Sequence, residues 1–368
     1  QRQMCIRDRC AGALRGERKM STVVQGILLA VIGVLLFGLI IFIHEFGHFF
    51  TAKLSHVCVN EFSIGMGPKL LSFGKGETKY SLRLIPMGGY VQMEGEDEAS
   101  EDERAFNQKP VWKRFLVVIA GAVMNIILGL VLVAILLTQQ NLIGTTQIAG
   151  FHENASSQSS GLQEGDVITH INGTSVWSDR DISFLMARDR DGVIDFTVKR
   201  DGQKTELKNV KFDTREVDGQ TVITFDFIII GENKTFWNVL KTSFLETASM
   251  ARLVWLSLFD LVTGRFGLSD LAGPVGTVSV IAEATTSGGF LNALSLMAFI
   301  TINIGVFNLL PIPGLDGGRL FFLIIEGIRR KPINPKREGM IHAIGLVLMF
   351  ALIAVVTFND ILRLIRGG

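Results

Sequence analysis

His44-Glu45-Phe46-Gly47-His48 reads H-E-x-x-H, and it closes an uncharged apolar run that begins at Ser21 and ends at Ile43. On a helix, positions i and i+4 share a face, so His44 and His48 can hold one metal ion with Glu45 beside it. Two imidazoles with an adjacent carboxylate suit a zinc ion and a general base. The pattern is short, and its setting makes it informative: ionisable groups at the end of a membrane span are costly and are usually functional. The alternative is a helix that has already left the bilayer, with His44 and Glu45 merely solvated.

The composition agrees with a membrane setting. Of 368 residues, 48% are hydrophobic and 19% charged, and the mean hydropathy is +0.37, too apolar for an average soluble protein. A formal net charge of +1 offers no basic field for nucleic acid. Cys5, Cys10 and Cys58 make neither a disulfide framework nor a C-x-x-C site, so a metal here must use His and carboxylate. A bilayer crossing needs about 20 apolar residues. Ser21–Ile43, Phe115–Leu137, Phe290–Leu310 and Met340–Phe358 qualify, which predicts a multi-pass α-helical membrane protein with four transmembrane helices.

Residues 1–19 are polar and rich in Arg, without helical or strand period, and read as a non-native leader before a start at Met20. Lys53, Lys69, Lys75, Lys79, Lys109, Lys113 and Arg114 mark the loop after the first span as cytoplasmic, and Arg329, Arg330, Lys331, Lys336 and Arg337 do so for the loop before the fourth. Between residues 57 and 95, strand-like pieces at Asn60–Ile64, Lys69–Phe73, Tyr80–Leu84 and Tyr90–Met93 are cut by glycines, with Met87-Gly88-Gly89 as a turn. This predicts a membrane-associated β-hairpin. It is either an ordinary cytoplasmic hairpin or a strand edge beside the metal that pairs with an extended peptide. Asn125, inside the second span, serves equally well as interhelical glue or as a lining of the site.

Ser160-Gly161-Leu162-Gln163-Glu164-Gly165-Asp166-Val167-Ile168 and the strands and helical patch that follow resemble a bacterial-type PDZ domain, inserted outside the membrane. Such a fold binds peptide ends by strand addition. Phe236–Val262 places Trp237, Leu240, Phe244 and Trp255 on one side, as in a helix lying on the membrane surface. In the third span, Asn303, Asn308 and Asp316 fall within Thr301–Gly318, where Pro311, Pro313 and Gly314 would open the helix. Irregular backbone at that depth is tolerated where it lines a cavity. Asp316 is the best available carboxylate at the depth of His44 and His48. A lone Asp beside Gly-Gly is otherwise a turn residue. His56 and His342 could also bind metal but have no partner at ligand spacing.

These pieces together resemble the site-2 protease family of intramembrane zinc metalloproteases, and within it the bacterial regulator-of-sigma-E type. The resemblance runs from Met20 to about Ile365 and rests on H-E-x-x-H, Met87-Gly88-Gly89-Tyr90-Val91, one PDZ-like insert, and N-x-x-P-x-P-x-x-D-G-G from Asn308 to Gly318, in that order. It implies one Zn2+ per chain on His44, His48 and Asp316, with Glu45 as catalytic base. It also implies substrate-backbone contacts from Gly88, Gly89, Tyr90 and Asn308. Asn303 and Asn125 complete the candidate substrate-facing groups. The implied partners are the lipid bilayer, a single-span membrane protein such as an anti-sigma factor or a remnant signal peptide, and a peptide ligand for the insert. The implied location is the bacterial inner membrane, with the site toward the cytoplasm and the insert outside. Some close relatives carry two PDZ domains, whereas this chain has room for one. The expected division is leader 1–19, first span 20–56, β region 57–110, second span 111–139, insert 140–215, linker and interfacial helix 216–289, third span 290–328, and loop with fourth span 329–368. The competing reading is a non-catalytic membrane scaffold that presents a PDZ domain.

Overall fold

The computed structural model describes residues 33–366 except 75, 97, 99, 190, 218–219 and 265–273. The expected leader 1–19, the first part of the first span, and Leu271–Gly273 therefore lie outside the described residues. The chain divides into two compact units, one of residues 1–129 with 256–368 and the other Leu130–Trp255.

In the first unit, α1 (Gly33–Leu54) continues unbroken through His44–His48. It stops where His56 takes a left-handed conformation at φ 57° and the Val57 N–H turns back to the Ala52 carbonyl at 2.9 Å, a helix C-terminal cap. His56 thus ends a helix, and among the described residues it is not part of the cluster that could hold a metal. Two 15-residue antiparallel strands follow, β1 (Val59–Phe73) and β2 (Lys79–Met93). The sequence suggested separate short strands. Instead, the glycines bend long strands without cutting them, because Gly65, Gly67 and Gly88 adopt positive φ that other residues avoid. As a result Glu61–Ile64 has neighbours on both sides, Lys79–Leu82 on one and Gly89–Gln92 on the other. One face of this sheet packs Val59, Phe62, Val91 and Met93 against Ala52 of α1, against Val117 and Val118 of α2 (Val111–Gln139), and against Leu320 and Leu323 of α7 (Asp316–Arg329). An Arg114–Glu326 ion pair, bidentate at 3.1 and 2.5 Å and 13% exposed on each side, ties α2 to α7.

Four helices are long and apolar enough to cross a membrane: Gly33–Leu54, Val111–Gln139, Leu291–Asn308 and Lys336–Leu362. The third lies within α6 (Pro274–Asn308) and the fourth within α8 (Pro335–Arg366). The expected helix break falls between α6 and α7, at the two prolines.

The second unit holds a sheet in the order β10-β3-β4-β6-β7, with β5 on β4. Its strands are β3 (Ile143–Phe151), β4 (Val167–Ile171), β5 (Thr174–Ser175), β6 (Val193–Arg200), β7 (Gln203–Lys211) and β10 (Phe227–Glu232). Two short helices, α3 (Ser156–Ser159) and α4 (Asp179–Ala187), and a β8–β9 pair (Thr214–Val217 with Gln220–Ile223) complete it. Ile148, Leu162, Ile168, Phe196 and Val198 form its buried core. The sequence boundary at 215 misses β10, which returns from Phe227 to pair with β3. Helix α5 (Phe236–Val262) leaves Phe236, Trp237, Phe244 and Trp255 exposed. Two of its charged residues turn inward: Glu246 meets Arg180 at 2.8 Å, and Arg252 meets the buried Asp181 at 3.0 Å.

Candidate metal centre

The first unit brings His44, His48 and Asp316 together from helices far apart in sequence. His44 Nε2 lies 3.2 Å and His48 Nε2 3.3 Å from the same Asp316 oxygen, Oδ2, and the two nitrogens are 3.3 Å apart. The side chains are 13%, 12% and 23% exposed. All three atoms are electron-pair donors, and the buried Asp316 Oδ2 has no hydrogen-bond donor. A cation satisfies such a set. With zinc bonds of about 2.0–2.1 Å, tetrahedral ligand atoms stand about 3.3 Å apart, so these residues fit zinc.

Each ligand is fixed from behind. His48 Nδ1 is 2.9 Å from the Val117 carbonyl oxygen, which can only accept. Nδ1 therefore carries the proton, and Nε2 presents its lone pair to the site. Gly121 of α2 makes room for that ring: a Cβ there would stand 2.2 Å from His48 Nε2. On the other imidazole, the Asn125 amide lies 3.3 Å from His44 Nδ1. Asn125 is wholly buried, and its backbone carbonyl oxygen accepts from Thr301 Oγ1 at 3.2 Å. Asp316 occupies the first turn of α7, where the helix dipole favours a carboxylate.

The hairpin also reaches the site. A Cβ on Gly89 would meet Glu45 Cγ at 2.8 Å. Gly89, Tyr90 and Val91 pair with Ile64, Ser63 and Phe62 of β1. Among the described residues their other edge has no strand partner. Tyr90 is held in place by Arg83, which donates to its hydroxyl and meets Glu61 at 3.2 Å. Gly88 takes φ 86° at the bend before this edge. Asn303 and Asn308 are half-buried on the last turns of α6, and Asn308 is its final residue. The supports from Val117, Gly121 and Arg83 were not found in the sequence, because they depend on which helix faces pack.

The model of peptidase family M50 matches residues 32–352. A protein of Clostridium acetobutylicum named as a zinc metalloprotease is 39% identical over 90% of this chain and 96% of its own length. One from Clostridium perfringens is 35% identical, covering 90% and 98%. The regulator of sigma-W protease RasP of Bacillus subtilis is 31% identical over 90% of this chain and 97% of that protein.

Proposed function

We propose, for a chain that belongs to peptidase family M50 and is therefore a zinc metalloprotease of the membrane, that His44, His48 and Asp316 hold one zinc ion and that Glu45 is the catalytic base. The observation that carries this reading is the set of three donor atoms 3.2–3.3 Å apart with Glu45 beside them. Zinc, when bound, lowers the pKa of water toward about 7 and polarises a carbonyl. Glu45 takes the proton of the attacking water and returns it to the leaving amine. Asn125 orients His44: a half-turn of its amide gives Nδ1–H an oxygen to donate to, which leaves Nε2 for the metal.

The substrate is a single-span membrane protein of the anti-sigma-factor or remnant-signal-peptide type, cleaved in regulated intramembrane proteolysis. A helix in lipid keeps its backbone groups paired internally, so it must unwind before attack. The free edge at Gly88–Val91, beside Glu45, supports strand addition as the replacement pairing. Asn303 and Asn308 are further candidate partners. The basic loops 53–114 and 327–339 support a cytoplasmic-side site in the bacterial inner membrane. The single crossing by α2 then puts the insert outside, as a PDZ domain that binds peptide ends.

Metal analysis of purified protein tests the ligand set. We expect about one zinc per chain in the wild type, and loss of both zinc and cleavage in Asp316→Asn. Full zinc in Asp316→Asn would remove Asp316 from the site.

A further inference from the structure

We propose that His342 of α8 is a positioning residue for the loop that presents Asp316. The inference rests on reading Asp316 as a zinc ligand.

The loop between α6 and α7 is poor in backbone donors, because Pro311 and Pro313 have no N–H. Those it has are satisfied locally, with one exception. Leu309 and Leu310 donate to Val306 and Phe307, Ile312 to Leu310, and Leu315 to Ile312. The Gly314 N–H instead donates to His342 Nδ1 at 2.9 Å, across a gap of 28 residues in sequence. That bond fixes the tautomer. Nδ1 accepts, so the proton sits on Nε2, which faces Glu338 Oε1 one turn back at 4.0 Å. A nitrogen engaged in this way is not a metal ligand, and the role left open for His342 in the sequence becomes that of a clasp.

The surrounding contacts make the clasp specific. Gly314 has φ 100°, a conformation other residues avoid, and a Cβ there would lie 3.1 Å from the Leu346 nitrogen. A Cβ on Gly345 would stand 2.1 Å from the Pro313 carbonyl oxygen. His342 and Gly345 are one helical turn apart and share a face of α8. This face therefore offers the loop a hydrogen-bond acceptor and a notch. The same imidazole closes on the far side of the aspartate, since its Cε1 lies 3.1 Å from where a Gly318 Cβ would be. His342 thus bonds the backbone two residues before Asp316 and fills the space beside Gly318, two residues after it. Without it, the Gly314 N–H is orphaned in a half-buried loop, and the carboxylate loses its fixed approach to His44 and His48.

The test separates the acceptor from bulk and fold. Asn places an amide oxygen where Nδ1 sits, Gln places it near Nε2, and Leu provides neither. Zinc release to a competing chelator is measured on full-length protein in detergent, with melting temperature alongside, for His342→Asn, His342→Gln, His342→Leu and Asp316→Asn. We expect release from His342→Leu and His342→Gln to be about 10–100-fold faster than from wild type, the usual scale for residues that orient a ligand. We expect His342→Asn to stay within about threefold of wild type, since it keeps the acceptor. Wild-type release from His342→Leu, or equal losses in His342→Asn and His342→Leu, would overturn the proposal. Asp316→Asn separates the two claims. If it sheds zinc while His342→Leu does not, only the positioning role fails. If it keeps zinc, the ligand reading fails with it.

Discussion

At the residue scale, the site depends on single atoms being denied their alternatives. His48 has one tautomer because the Val117 carbonyl cannot donate. Its ring has one position because Gly121 has no side chain. Gly121→Ala would favour helix α2 intrinsically yet push a methyl into His48 Nε2. We expect unchanged helix content by circular dichroism, with zinc occupancy and cleavage reduced by about tenfold or more, the scale of other losses of ligand support. Wild-type zinc content in Gly121→Ala would contradict this. H-E-x-x-H was legible because helical spacing alone puts both histidines on one face. Asp316 was legible by its depth and the prolines before it. Gly121 was not legible as a support, since its purpose lies in another helix's side chain.

At the element scale, the hairpin is shaped by glycine bends and a polar clasp. Burial alone would raise the pKa of Glu61, but the polar groups around it, among them Lys69 and Arg83 donating at 3.0 and 3.2 Å, outweigh burial and hold the carboxyl at about 2. The folded value lies below the ordinary 4.5, so the clasp stabilises the folded state above that pH. Its contribution is lost as pH falls from about 4.5 toward 2. Glu61→Gln should remove up to about 3 kcal/mol of local stability at neutral pH and flatten this dependence. Hydrogen exchange at Tyr90, Val91 and Gln92 measures it, and equal protection in both proteins across that range would refute it. The strand-like pieces were readable in the sequence. Their continuity was not, because a glycine in a strand can mean either an end or a bend, and only the partner strand decides.

At the scale of the whole molecule, apolar length marked the four candidate spans in the sequence, as the helices bear out. The second unit was less legible. Its edge strand β10 comes from outside the expected boundary, and Glu246 and Arg252 of α5 form internal ties. Burial pushes Glu246 up to about 7, against the opposing pull of Arg180. A carboxyl whose folded value is raised favours folding below about 4.5 and loses that advantage as pH rises to about 7. Glu246→Gln should therefore stabilise this unit by a few kcal/mol at pH 8 and change little at pH 4. Urea denaturation at both pH values measures this, and a loss of stability at pH 8 would mean that the Arg180 pair dominates. The proposed chemistry makes Glu45 the base of a zinc protease. The most direct measurement is cleavage of a single-span membrane substrate in detergent by wild type and by Glu45→Gln, with zinc assayed in both. We expect zinc in both proteins and cleavage by the wild type alone. Cleavage by Glu45→Gln at the wild-type rate, with zinc retained, would contradict the account.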